Sequence, residues 1–595
     1  MKEENIFIVA DLIAEWLEKQ KIQIVFGIIG SANSYIFDSI ANRGFTKVVF
    51  MHHEQAVVMA AGAYFRASGK ISVAIVTAGA GSANAITGVL CNWADSIPCI
   101  VISGQESTQY IDLHKDLRMY GTQGFDIVSM AQKITKYAHL LTQPSQTLKV
   151  LEYAKDISLS GRPGPVWIDI PINVQSSQIN IQKLEKPVTI SDTYPEIEFG
   201  IIKNLIESSE RPVIMVGHGI RLSKSIDKFN KLVDKLKIPV LHTWSAIDVI
   251  SSDNKYNFGC SGIYGQRAAN FIVQNCDLLI VLGSRLALPQ TSYKIENFAP
   301  NAKIIMVNND MLELEKHSRY DVKVYSDCKY FIEKLYEIEI DSLKTEWLNR
   351  CNLYKKEFPL VEECHLEDNQ KFDNSYVFIN NISDLLDENH IVVIGQGTPL
   401  PCCHQALVHK KNQNIFASNG LGEMGNGLPS AIGAAFSDLN KKVILFDGDG
   451  SSMMNIQELQ TVIGYKIPLK IVIFNNQGYL FIKHTQKMLF NGRYTGVDEN
   501  TGLTLPDYSK ITKAFGLQYF NSKNDTVKDF LDYKGCAVFE CFMNPEQDLV
   551  PKVKGIMTED GLLSPPIEEM SPLLPLSKIE ECMNKVNNIS YEIRK

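Results

Sequence analysis

The sequence predicts an α/β protein of three consecutive doubly wound parallel-sheet domains, and three observations lead to it. Short, continuously apolar runs recur along most of the 595 residues, the form expected of strands buried on both faces. Segments of helical spacing separate them, so strands alternate with helices. Two polar or charge-rich stretches, residues 175–195 and 341–369, divide the chain into blocks, because a chain of this length exceeds a single core.

The first block, residues 1–175, has strands at Ile24–Phe26, Lys47–Phe50, Val73–Thr77, Cys99–Ser103 and Val166–Ile170. Its first residues, Met1-Lys2-Glu3-Glu4-Asn5, run into an amphipathic helix rather than a signal h-region. The second block, residues 196–340, reads as Rossmann-like, with strands at Pro212–Val216, Pro239–His242, Leu278–Leu282 and Lys303–Val307. Residues 341–369 read as a connecting helix plus linker. The third block, residues 370–545, holds apolar strands at Val443–Phe446 and Leu469–Phe474. Between them Met454–Tyr465 has helical spacing, with Ile456, Leu459, Val462 and Ile463 on one face. Residues 546–595 form a tail with Pro565-Pro566 and a polar helix from Leu576.

A hydrophobic content of 45% with 21% charged residues fits a soluble globular protein. A net charge of −8 implies no broad basic surface and argues against nucleic acid as a partner. No apolar run approaches the length of a bilayer span, so no membrane role and a cytoplasmic location are expected. The 12 cysteines are scattered without a metal-binding spacing, and the adjacent Cys402-Cys403 pair cannot chelate as a CxxC motif does. Reduced thiols are the expectation.

The strongest chemical signal is Phe446-Asp447-Gly448-Asp449-Gly450-Ser451-Ser452, followed one βαβ unit later by Asn475-Asn476-Gln477-Gly478. Two parallel strands joined by a right-handed crossover place Asp449 and Asn476 side by side at the carboxyl rim of the sheet. One carboxylate, one amide oxygen and a backbone carbonyl, assigned to Gly478, suit Mg²⁺ shared with a phosphate. Gly448 and Gly450 allow backbone N–H groups to approach an anion, and Ser451 and Ser452 are placed to bond phosphate oxygens. The motif therefore predicts a diphosphate held through a metal.

This pattern resembles the thiamine diphosphate (ThDP) signature, a GDG triplet followed by an NN pair. The resemblance extends over roughly residues 5–545. Met51-His52-His53-Glu54-Gln55-Ala56 precedes an Ala/Gly-rich helix and resembles the pyrimidine domain of that superfamily. On its own a carboxylate there merely complements the helix dipole. The resemblance makes Glu54 the activator, hydrogen-bonded to N1′ of the pyrimidine in an apolar site that supports proton sharing. Asn419-Gly420-Leu421-Gly422-Glu423-Met424 has helix–sheet packing as its bland account. The resemblance puts Met424 under the bent cofactor and the Gly422 carbonyl on its amino group. Gln396, Gly397 and Thr398, at a strand end, form a second candidate diphosphate contact. Gly30, His53, Gln123, Phe125 and Ile482 are the expected substrate-pocket residues. The loop from Thr77 to Asn84 reads either as a tight β–α turn or as packing near a partner chain's cofactor.

Gly161–Pro171 closely resembles the end of the pyrimidine domain in acetolactate synthases, which implies an acetolactate-synthase-like enzyme. Such an enzyme decarboxylates a 2-oxo acid, pyruvate in the first instance, and adds the resulting enamine to an acceptor carbonyl. Three departures put the acceptor in doubt. Ile172 stands where those synthases commonly carry lysine, and Thr485 stands near their tryptophan. Ile482 stands where pyruvate decarboxylases carry a second acid. Leu480, Phe481, Lys483 and His484 are candidates for a different acceptor site. A keto-sugar acceptor in branched-sugar synthesis and a ThDP-dependent C–C lyase or hydrolase therefore stay open. A non-catalytic ThDP-binding protein is disfavoured by the joint retention of Glu54, Met424, Asp449 and Asn476. The middle block resembles a domain that binds FAD in some relatives. Asn308-Asn309-Asp310 replaces their acid-rich strand end, and FAD stays open. The resemblance also implies a homodimer or homotetramer with active sites between chains.

Overall fold

The computed structural model describes residues 7–188, 190–366, 371–558 and 561–594. The N-terminal stretch Met1–Ile6 and the expected start of the third block at residue 370 lie outside them. The chain forms three six-stranded sheets. The first contains β1 (Ile24–Gly27), β2 (Lys47–Phe50), β3 (Val73–Val76), β4 (Ile100–Gln105), β5 (Tyr137–Leu140) and β6 (Val166–Pro171) in the order β2-β1-β3-β4-β6-β5. The second contains β7 (Pro212–Val216), β8 (Val240–His242), β9 (Asn257–Cys260), β10 (Leu278–Leu282), β11 (Lys303–Asn308) and β12 (Val322–Tyr325) in the order β12-β11-β10-β7-β8-β9. The third contains β13 (His390–Ile394), β14 (Asn414–Ala417), β15 (Lys442–Gly448), β16 (Lys470–Asn475), β17 (Gln518–Asn521) and β18 (Ala537–Phe542) in the order β14-β13-β15-β16-β18-β17.

Neighbouring strands run parallel, as in β15 against β16 and β1 against β3. The central strands β3, β4, β7, β10 and β13 are buried along their whole length, which explains their continuous rather than alternating apolar character. The first and third sheets share one strand order. Each reverses between its first and third strands in sequence, and each therefore opens a crevice at that point. In the second sheet the order reverses between β7 and β10.

The first and third blocks share a core. The helix Glu54–Ser68 lies against the helix Gly427–Ser437, and Ala60, Ala61, Leu428, Ala431 and Ile432 are buried in one cluster. The approach is close: a Cβ on Gly433 would stand 2.1 Å from the Ala60 carbonyl oxygen. Gly433→Ala is expected to push the two helices apart and cost about 2 kcal/mol, measurable by thermal denaturation.

The predicted helix Met454–Tyr465 is divided. A 3₁₀ segment, Met453–Glu458, leads into an α-helix, Leu459–Gly464, with Asn455 off helical geometry at φ −139°. The physical reason is tertiary. The Asn455 amide donates to the Gly425 carbonyl at 2.8 Å, and this long-range bond competes with regular helix formation. Leu459 and Val462 still reach the shared core. Residues 341–369 contain the helix Thr345–Glu357. The tail is not free: Ile567, Met570, Ile579, Cys582 and Met583 pack into the core of the middle sheet. Asn275 donates to the Cys582 carbonyl at 2.9 Å. Among the described residues no cysteine forms a disulfide, and ten of the 12 are buried. Among the described residues no helix is long and apolar enough to cross a membrane.

Candidate active site

In the third sheet, β13, β15 and β16 end at one rim, and a cavity of about 290 Å³ opens there. It is lined by Gln396, Gly397 and Thr398 after β13, by Gly448, Asp449, Gly450 and Ser451 after β15, and by Asn476 and Gly478 after β16. Gly422, Met424, Leu400, Tyr479, Leu480, Phe481 and Ile482 complete the wall. Of the residues expected to hold the diphosphate end of the cofactor, all but Ser452 line this one cavity. Adjacency of β15 and β16 does this, pairing Gly448 with Phe474 in register.

Asp449 is 1% exposed and begins the short helix Asp449–Ser452. One carboxylate oxygen accepts from the Gly450 N–H at 2.8 Å. The other accepts from the Asn476 and Gly478 N–H groups at 3.0 and 3.2 Å. Burial nevertheless pushes the carboxyl up to about 7, because the backbone donors only partly offset desolvation. Asn476 donates its amide to Thr398 Oγ1 at 3.1 Å, while its Oδ1 is buried without a partner. A buried amide oxygen left without a donor is costly, and here it stands beside a desolvated carboxylate. A cation would satisfy both. The donor set of oxygens alone fits Mg²⁺, with Gly478 as the expected backbone ligand.

Ser451 lines the cavity and its Oγ accepts from the Gly425 N–H at 3.1 Å. Ser452 does not line it. Its hydroxyl donates back to the Gly448 carbonyl at 2.9 Å, so the expectation of two phosphate-facing serines is reduced to one. A Cβ on Gly450 would meet the Tyr479 ring at 2.2 Å, so the floor of the cavity tolerates no side chain there. Lys483 and His484 turn away from the cavity. Lys483 Nζ pairs with Asp498 at 2.9 Å and with Glu546 at 3.3 Å. His484 Nδ1 lies 3.4 Å from Lys552 Nζ of the tail. Leu480, Phe481 and Ile482 remain on the cavity wall.

Glu54 lies elsewhere. It opens its helix after β2, and its Oε2 accepts from the Asn84 amide at 3.0 Å. Gly81 is close enough that a Cβ there would lie 3.2 Å from Glu54 Oε1 and 2.7 Å from Thr77 Cγ2. A Cβ on Gly30 would meet Thr77 Oγ1 at 2.4 Å, and one on Gly79 would meet the Gln123 carbonyl oxygen at 2.6 Å. Glu54, Gly30, Thr77 and Gln123 thus share the crevice of the first sheet. Phe125 packs against the shared core, its carbonyl accepting from the Gln105 amide at 2.9 Å. His53 caps the Glu54 helix through its ring, which accepts from the Gln55 N–H at 3.1 Å. None of these residues lines the Asp449 cavity. On one chain Glu54 therefore stands apart from the Asp449 cavity.

Thr77, named in the sequence only as the start of a small-residue loop, has its Oγ1 buried without a partner, and sequence reasoning passed over Tyr508, whose hydroxyl donates to the Asp449 carbonyl. The strand-end position of Thr77 could have marked it. Tyr508 sits far along the chain in a different helix, and no local pattern marks it.

Family models match all three blocks. The thiamine pyrophosphate enzyme N-terminal TPP binding domain matches residues 8–130, the central domain 201–335 and the C-terminal TPP binding domain 397–541. The chain belongs to the thiamine pyrophosphate-dependent enzymes, in their acetolactate-synthase-like branch. The acetolactate synthase isozyme 2 large subunit of Escherichia coli (strain K12) is 31% identical over 530 residues, covering 87% of this chain and 92% of that protein. The isozyme 1 large subunit of the same organism is 30% identical, covering 91% and 95%. A probable acetolactate synthase large subunit of Methanocaldococcus jannaschii is 31% identical, covering 86% of each.

Proposed function

We propose that the chain is a ThDP- and Mg²⁺-dependent carboligase that takes a 2-oxo acid, pyruvate first among them, and joins its decarboxylated remainder to an acceptor carbonyl. The cavity that gathers Asp449, the orphaned Asn476 Oδ1 and Met424 carries this reading. Similarity to the acetolactate synthase large subunits supports the reaction class. When bound, ThDP supplies an electron sink at its thiazolium C2, which lets the 2-oxo acid lose CO₂ and the remainder attack a carbonyl. Asp449, Asn476 and Gly478 would hold Mg²⁺, and Gln396, Thr398 and Ser451 would hold the diphosphate. Met424 would support the bent cofactor, with Gly422 beside it. Glu54 would share a proton with the pyrimidine ring. Gly30 and Gln123 would face the substrate beside Glu54, with His53 at the cap of the Glu54 helix and Phe125 behind them on the shared core. The two crevices are separate on one chain, so we propose that a complete site joins Glu54 of one chain to the Asp449 cavity of another, in a cytoplasmic homodimer or homotetramer. Residues 1–175, 196–340 and 370–545 would then be the pyrimidine, central and diphosphate domains.

Labelled pyruvate offered with a panel of acceptor carbonyls tests this. The expected product carries the labelled two-carbon unit in a new C–C bond, and acetaldehyde as sole product would reject the carboligase reading. Ile482, 46% exposed at the cavity wall, offers no proton for simple decarboxylation. Ile482→Ala is expected to change the preference between acceptors by about 10-fold or more, the scale on which an apolar pocket discriminates a single methylene. CO₂ release should change less, which separate assays of the two would show.

The middle sheet has its own cavity of about 200 Å³ at the β7–β10 switch point, smaller than the ~300 Å³ at which ligand pockets usually begin. Asp95, Asp192, Glu313 and Asp327 line it against Arg162 and Arg285. Arg162 is already paired with Asp310 and Glu313 at 3.0 Å each, and Asp310 caps the helix Met311–Glu315. This acidic, small cavity does not fit FAD, and no step above uses it. The absorbance spectrum of the purified protein is expected to lack flavin bands.

A further inference from the structure

Glu458 is a carboxylate with no solvent exposure and no cationic partner among the ion pairs of the described residues. It lies at the end of the 3₁₀ segment Met453–Glu458 in the third block. Its Oε1 accepts from the backbone N–H of His52, in the first block, at 3.1 Å, and its Oε2 accepts from Thr461 Oγ1 at 2.6 Å. Burial raises its carboxyl above the usual range, while these donors act the other way. A buried acid costs several kcal/mol unless its oxygens are satisfied, and an apolar residue would fill the same space without that cost. His52 is two residues before Glu54, on the link between β2 and the Glu54 helix. The other side-chain bond to that link's approach also comes from the third block: Tyr465 Oη accepts from the Phe50 N–H at 2.7 Å. Asp449, by contrast, is fixed by Gly450, Asn476, Gly478 and Tyr508. Glu458 makes no bond in that set.

We infer that Glu458 is a positioning residue for Glu54 of its own chain, fixing through His52 the point from which the Glu54 helix departs. The inference rests on the two-chain site proposed above. It means that the third block of a chain serves two active sites. Asp449 serves one directly, and Glu458 serves the other through Glu54.

Mixed oligomers separate the possibilities. Glu458→Met removes both acceptor oxygens while keeping the volume. In the full-length homo-oligomer it is expected to retain Mg²⁺-dependent ThDP binding by calorimetry. Exchange of the thiazolium C2 proton should slow by about 100-fold, the scale of a small misplacement of a catalytic group. Glu458→Gln, which can still accept from His52, should restore exchange. A merely packing role would lower the melting temperature of both variants and leave exchange in the folded protein unchanged. Differently tagged chains are then co-purified. Glu458→Met paired with Asp449→Asn should regain about half of the activity, since a twofold dimer then holds one intact site. Glu458→Met paired with Glu54→Gln should regain none. The reverse pattern, or exchange at the normal rate in Glu458→Met, would overturn the inference. The pair Glu54→Gln with Asp449→Asn tests the two-chain reading alone, and lack of restoration there rejects that reading. Exchange in the homo-oligomer then decides the role of Glu458. If Glu458→Met does not fold, Thr461→Val, which loosens the second anchor, should give the same pattern at smaller amplitude, and normal exchange in it would overturn the inference.

Discussion

Glu54→Gln is expected to abolish CO₂ release from pyruvate while leaving the fold and ThDP binding intact. The substitution is isosteric, and the side-chain oxygen of glutamine can still accept from Asn84, which donates to Glu54 at 3.0 Å. The close approach of Gly81 to the side chain is preserved. What is lost is the shared proton. An amide cannot exchange a proton with the pyrimidine ring, and removal of a positioned acid–base group costs about 10²- to 10⁴-fold in rate. The loss should fall on kcat, since Glu54 is assigned no ground-state contact to the substrate. Turnover measured by CO₂ release, with thermal denaturation and calorimetry as controls, checks this. Unchanged turnover would reject Glu54 as the activator.

Asp449→Asn should have the other large effect, and on binding rather than on chemistry. The carboxylate is the one charged group assigned to the metal, and its removal is expected to weaken Mg²⁺-dependent ThDP binding by about 100-fold or more, about 2.8 kcal/mol. The substitution also turns an NH₂ toward one set of backbone donors, because both oxygens of Asp449 accept N–H groups. Some stability is therefore lost as well, on the order of 1–3 kcal/mol. Calorimetry on the folded protein separates the two effects. Wild-type ThDP affinity in Asp449→Asn, with Mg²⁺ present, would sink the metal assignment and with it the diphosphate cavity.

The fold was legible where strands are buried on both faces. Pro212–Val216 and Leu278–Leu282 fall where the apolar runs put them. The shorter or more polar strands at sheet edges, such as Tyr137–Leu140 and Val322–Tyr325, do not form continuous apolar runs and leave a weaker trace. The cavity around Asp449 was legible because its lining residues follow strand ends that the GDG and NN pattern marks directly. The apolar wall of that cavity was legible only in part. Lys483 and His484 share a helix with Ile482, and sequence does not show that the tail draws them away through Glu546 and Lys552.

By itself the sequence determined three parallel-sheet blocks, the pairing of Asp449 with Asn476, and the membership of Glu54 and Met424 in a cofactor-type pattern. The first two are properties of periodicity and short spacing, which act within one βαβ unit; Glu54 and Met424 were reached through the resemblance to ThDP-dependent enzymes. Tertiary structure alone decided that Glu54 and the Asp449 cavity stand apart on one chain. It also decided that Asn455 breaks the helix after Asp449, that the tail closes over the middle sheet, and that Glu458 reaches His52 across the boundary between blocks. The bonds behind these features join residues outside one βαβ unit, 30 positions apart for Asn455 and Gly425 and 406 for Glu458 and His52, and periodicity carries no information about such pairs. A buried carboxylate is placed by the donors that surround it, and those donors are assembled only when the chain has folded.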